Sequence, residues 1–85
     1  MQSLPIPEGW TIQQNELYRK KTFKSFFQAF QWITAIAALA DEADHHPRWA
    51  QDYTKVEVWL TTHDAGHKIT EKDILLAEQI NQIPE

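Results

Sequence analysis

Between Lys55 and His63 the apolar residues Val56, Val58 and Leu60 return at every second position. A period of two is the repeat of a strand with one buried face, so this stretch predicts a half-buried strand. From Ser25 to about His46 the rhythm changes. The segment has no Gly or Pro, and Phe26, Phe30, Ile33, Ala37 and Ala40 recur at three- and four-residue spacing, which predicts a long amphipathic helix. Lys24, Gln28, Gln31 and Glu42 mark its polar edge, but Ala35 and Ala38 lie among them, so the apolar surface is wider than one stripe and predicts a second packing partner. Pro47 ends the helix, because its ring disfavours the α conformation in the residue before it.

The remaining segments have shorter signals. Pro5, Pro7 and Glu8-Gly9 read as an extended lead-in. Trp10 to Ile12 and Leu17 to Phe23 are rich in β-branched and aromatic residues, and with Gln14-Asn15-Glu16 between them they predict a hairpin. Its facing stays open: Leu17 and Phe23 alternate with Arg19 and Lys21 in one set, Tyr18 with Lys20 and Thr22 in the other, and a one-residue shift exchanges them. After a short segment from Arg48 to Asp52 comes the central strand, and then a loop from Asp64 to Lys68. Thr70 followed by Asp73 resembles a capping box, with Ile69 and Ile74 where a hydrophobic staple stands. The last helix is expected from Glu71 to about Gln82, Ala77 and Ile80 on its buried face and Pro84 beyond it. The order is β-β-α-β-β-α.

Composition narrows the classes of function. Eighty-five residues make one small domain over 1–85, and no apolar run approaches the roughly 18 residues of a membrane span. Eight basic and twelve acidic residues give 8 − 12 = −4, a field that repels phosphate backbones and anionic lipid, so neither nucleic acid nor membrane is an expected partner. There is no cysteine, hence no disulfide and no thiolate zinc site, and the start lacks the basic end and apolar stretch of a secretion signal; the expected location is the cytoplasm. A chain this small with no staple must lean on its four Trp and four Phe and on association, so a homo-oligomer is expected.

Three of the four histidines stand at predicted element ends: His45 and His46 where the long helix stops, His63 where the central strand stops. Loops and element ends held by a scaffold are where functional groups concentrate. Two readings are open for His45 and His46, a favourable interaction with the helix dipole or the flanking of a flat ligand at a cleft. Asp41, four residues before His45, shares its helix face, as an ordinary surface pair or as the group that fixes the imidazole's tautomer. No HExxH-like spacing joins the histidines to a carboxylate, so no metal is expected. Considered alone, Asp73 is a helix-start residue.

Taken together, Asp41, His45-His46-Pro47, Tyr53, His63 and Asp73 resemble the fingerprint of the pterin-4a-carbinolamine dehydratases. Gly9-Trp10, Leu17-Tyr18-Arg19, Phe23 to Phe30, Asp44 to Trp49, Thr62-His63-Asp64 and Thr70 to Asp73 are also similar to family segments. The resemblance implies an α+β fold, a four-stranded antiparallel sheet with helices on one face, assembled as a dimer or tetramer. It implies dehydration of 4a-hydroxytetrahydropterin to the quinonoid dihydropterin, a step of tetrahydrobiopterin recycling, with an aromatic amino acid hydroxylase as metabolic neighbour. The pterin is the substrate and no cofactor is implied. On this carry-over Asp44, His45, His46, Thr61, Thr62, His63 and Asp64 border the pterin and Asp41 and Asp73 support the site. His45 and His46 are expected to transfer protons and His63 to hold the pterin. A rival implication is a dehydratase-like scaffold that binds a partner protein, in transcription-factor dimerisation or Rubisco assembly. Two departures follow from the chain itself. The helix that some members carry before the first strand is expected to be missing or reduced, and the loop after His63 is one residue longer around His67-Lys68, so His67 is expected to be a silent position.

Overall fold

The computed structural model describes residues 5–84. Its strands are β1 (Thr11–Gln13), β2 (Glu16–Thr22), β3 (Arg48–Asp52) and β4 (Lys55–Leu60), and its helices are α1 (Phe26–Ala43) and α2 (Glu71–Asn81), in the expected order. The short segment after Pro47 is thus the edge strand β3. All neighbours are antiparallel in the order β1-β2-β4-β3, and both helices lie on one face. Residues 5–10 hold a turn at Glu8-Gly9 and no helix.

Local chemistry sets the element boundaries. Gln14 and Asn15 both have positive φ, 49° and 66°, which fits a two-residue turn of the type that matches strand twist and sets Gln13 opposite Glu16. Ser25 caps α1 by accepting from the Gln28 N–H at 3.1 Å. The helix ends earlier than the sequence suggested. Asp44 turns left-handed (φ 50°, ψ 43°) and its N–H returns to the carbonyls of Ala40 and Asp41, so His45 and His46 leave the helix before Pro47 is reached. Asp is one of the few residues that visits this conformation with little difficulty.

The core is Leu17, Val56, Val58 and Leu60 from the sheet, all fully buried, against Trp32, Ile33 and Ile36 of α1 and Leu76, Ala77 and Ile80 of α2. Ile74 is buried and Ile69 packs against the cluster from the edge. The β2 facing is settled: Leu17 points inward with Arg19, whose guanidinium lies 5.5 Å from the Trp32 ring centroid, and Tyr18 lies outside against Trp59. The buried side of α1 differs from the expected one. Ala29, Trp32, Ile33, Ile36 and Ala40 face the core, while Phe26 and Phe30 are more than half exposed. With apolar residues nearly all round the helix, periodicity alone fits either phase; the indole of Trp32, tilted against the Phe23 ring with centroids 5.4 Å apart, takes the inner position.

Candidate active site

The antiparallel register gathers one end of the molecule. Leu17 opposite Leu60 and Arg48 opposite Trp59 put the start of β2, the start of β3 and the end of β4 side by side. The chain leaving α1 and the start of α2 close the same end through their contacts.

Asp73 anchors it. This carboxylate has no exposure, and every partner comes from a different turn of chain. Oδ2 accepts from the Thr70 N–H at 2.9 Å as part of the capping box, and from the Thr62 hydroxyl at 2.7 Å. Thr70 and Thr62 hydroxyls lie 2.7 Å apart, so Thr70 can pass its proton toward Thr62 while Thr62 donates to Asp73. Oδ1 lies 2.6 Å from His45 Nε2. The carboxylate is an acceptor throughout, which makes Nε2 the donating nitrogen of His45 and fixes its tautomer. The His45 side chain is only 12% exposed.

His46 goes the other way. Its Nε2 meets Asp41 Oδ1 at 3.0 Å with both side chains largely in solvent. The expected Asp41 and His45 pair is therefore corrected: the left-handed turn at Asp44 breaks the four-residue helical spacing and hands Asp41 to His46, leaving His45 for Asp73.

A pocket of about 170 Å³ opens beside these residues, walled by His46, His63, His67 and Thr61 and floored by Glu16, Arg48 and Trp59. Arg48 lies 4.1 Å over the Trp59 ring and donates to Glu16 Oε1 at 3.2 Å; His67 Nε2 meets Glu16 Oε2 at 2.8 Å. The rings of His63 and His67 are 5.6 Å apart. Of the residues expected from sequence, the pocket wall includes His46, His63 and Thr61. Thr62 and Asp73 are buried behind it, His45 is held between, and Asp41, Asp44 and Asp64 are exposed. Glu16, Trp59 and His67 were not anticipated as site residues, nor was Arg48 given a role. His67, expected outside any site, stands in the wall. Its signal was faint: Glu16 falls on the alternating set of Tyr18, but only the register with β4 shows what that set faces.

Among the described residues, no three His, Asp or Glu side chains converge as metal ligands do, and no helix is long and apolar enough to cross a membrane. A larger groove, about 730 Å³, lies at the opposite end between the β2 terminus, the first half of α1 and Ile83-Pro84. Its lining has two lysines but no histidine or carboxylate, whereas the smaller pocket is lined by three histidines and Glu16.

The family model for pterin 4 alpha carbinolamine dehydratase matches residues 1–83. The chain belongs to the pterin-4a-carbinolamine dehydratase family. A family member from Haloarcula marismortui, provisionally named a dehydratase, is 46% identical over 78 residues, 92% of this chain and 84% of its own length. Another from Nostoc punctiforme, named in the same way, is 41% identical over 78 residues, 92% and 83% of the two chains. A crystal structure of a transcriptional coactivator/pterin dehydratase from Brucella melitensis superposes with a TM-score of 0.82 at 36% identity, over 87% of this chain and 80% of that one. A pterin dehydratase-like protein described as a RuBisCO assembly factor in the alpha-carboxysome shares the dehydratase fold at 23% identity, with a TM-score of 0.67 over 85% and 82%.

Proposed function

We propose that this protein dehydrates 4a-hydroxytetrahydropterin to the quinonoid dihydropterin and water, by histidine acid and base catalysis, in tetrahydrobiopterin recycling beside an aromatic amino acid hydroxylase. The observation that supports it most is the set of imidazoles, His46, His63 and His67, around one pocket in a chain of this family. The C4a–O bond breaks as the hydroxyl takes a proton and leaves as water, and the N5–H electron pair becomes the C4a=N5 double bond as a base takes that proton. Hydroxide is a poor leaving group, since water has a pKa of about 15.7. Free imidazole titrates near about 6.5 and supplies both forms at neutral pH, and each positioned acid or base contributes typically ~10²- to 10⁴-fold. No cofactor enters this chemistry.

Purified protein should speed the loss of 4a-hydroxytetrahydropterin after metal chelation. A rate equal to the spontaneous one would end this reading. A second reading, a scaffold for a partner protein, is supported by the likeness to the Brucella transcriptional coactivator/pterin dehydratase. An inert assay together with a stoichiometric partner captured from extract would favour it. We also propose self-association through the outer face of α1, where Phe26, Phe27 and Phe30 are exposed beside Thr34 and Ala38. A stable monomer by sedimentation at micromolar concentration would refute that.

A further inference from the structure

Glu16 is a nearly buried acidic residue beside the pocket. It stands one residue after a hairpin turn, on the outer face of the sheet, and yet is only 8% exposed. Burying a carboxylate is costly unless each oxygen finds a partner, and here each does, from a different part of the chain. Oε1 accepts from Arg48 at the start of β3, and Oε2 meets Nε2 of His67.

The loop that brings His67 there is held in an unusual shape. Gly66 (φ 84°) and His67 (φ 59°) are both left-handed, a conformation that glycine adopts freely and histidine does not. Paired backbone bonds between Thr62 and Lys68 clamp the loop on either side. The result places the His67 ring over Glu16 and 5.6 Å from that of His63, inside the pocket wall.

Charge then assigns the ring. Glu16 accepts from Arg48 as a carboxylate, and its Oε2 lies 2.8 Å from His67 Nε2, so the tautomer with its proton on Nε2 is the favoured one. In the neutral ring Nδ1 is left with the lone pair, which is how a carboxylate orients a histidine base. We propose that His67 is a further proton-transfer residue of this site, the base that takes the N5 proton, and that Glu16 is its positioning residue. This rests on the dehydratase reading. As the C4a–O bond breaks, His46 gives the departing hydroxyl its proton, the N5–H pair forms the C4a=N5 bond, and the N5 proton goes to Nδ1 of His67. One ring gains the proton that another loses, and solvent exchange restores both.

The test is steady-state kinetics against pH on 4a-hydroxytetrahydropterin for wild type, His67→Ala, His67→Gln and Glu16→Gln, with biopterin binding followed by protein fluorescence. His67→Gln keeps an amide that can bond Glu16 but cannot transfer the proton, so it separates chemistry from folding. Both His67 variants should lose kcat about 10- to 100-fold. Their biopterin affinity should stay within about 3-fold of wild type. The acid limb of their pH profile should flatten, since the base whose protonation produces it is gone. Added imidazole should restore part of the His67→Ala rate. Glu16→Gln, whose amide can present N–H to the ring and select the wrong tautomer, should lose about 3- to 10-fold in kcat. A His67→Gln enzyme with wild-type kcat, a loss confined to KM and binding, or an unchanged acid limb would overturn the assignment while leaving the dehydratase reading intact. A wild type without turnover would overturn both.

Discussion

His45 and His46 are neighbours in sequence, and each bonds one carboxylate, yet the two pairs belong to different regimes. His45 and Asp73 meet at 2.6 Å with side-chain exposures of 12% and 0%, whereas His46 and Asp41 meet at 3.0 Å with exposures of 62% and 80%. A buried carboxylate whose partner is removed keeps its full desolvation cost; an exposed one is resolvated and screened. The same bond is therefore structural in one place and adjustable in the other, and the single left-handed residue between α1 and the histidines separates them.

The sharpest way to break this contrast is Asp73→Ala. It leaves the Thr70 N–H, the Thr62 hydroxyl and His45 Nε2 without their acceptor and should cost about 3–5 kcal/mol, read by urea unfolding, with loss of any activity. His45→Ala should follow it at about 1–3 kcal/mol, and adding it to Asp73→Ala should cost little more, because the two share one network.

His46→Ala should invert the pattern. Its stability should stay within about 0.5 kcal/mol of wild type, while kcat falls ~10- to 10⁴-fold, a split that unfolding and turnover measured on one preparation will show. His63→Ala should mainly raise KM. Asp41→Asn should do less, since an exposed pair contributes about 0–1 kcal/mol, and the urea midpoint should barely move.

The smallest effect lies on the outer sheet face. Tyr18 donates to Glu57 at 2.6 Å, and this bond, then partial desolvation, then the carboxylate's charge hold the phenol above the ordinary tyrosine value. A folded value above the unfolded one means that the contribution to stability is complete below about pH 10 and is lost as pH rises through the folded value. Glu57→Gln should bring the phenol's ultraviolet titration back toward the ordinary range.

What could be read from sequence was whatever depends on near neighbours. The capping box of Thr70 and Asp73, the Ser25 start of the long helix and the alternation of Val56, Val58 and Leu60 are set within a few residues, and each stands in the structure. What could not be read depends on distant partners. Asp73 looked like a helix-start residue because His45 reaches it from 28 positions away. The inward face of α1 was ambiguous because Phe26 and Phe30 fit the helical repeat as well as Trp32 and Ile36 do. Glu16 and His67 were invisible as a pair, since neither lies in the other's local pattern and the loop that joins them to the pocket is left-handed at a histidine.

The pairing of Leu17 with Leu60 joins positions half the chain apart, whereas β3 and β4 pair locally, Asp52 opposite Lys55. No early local structure, neither the first hairpin nor α1 alone, contains the pocket. Long-range pairing is the slow part of small-domain folding, so recovered catalysis on dilution from denaturant would act as a clock for the central strands, lagging behind the return of helical signal.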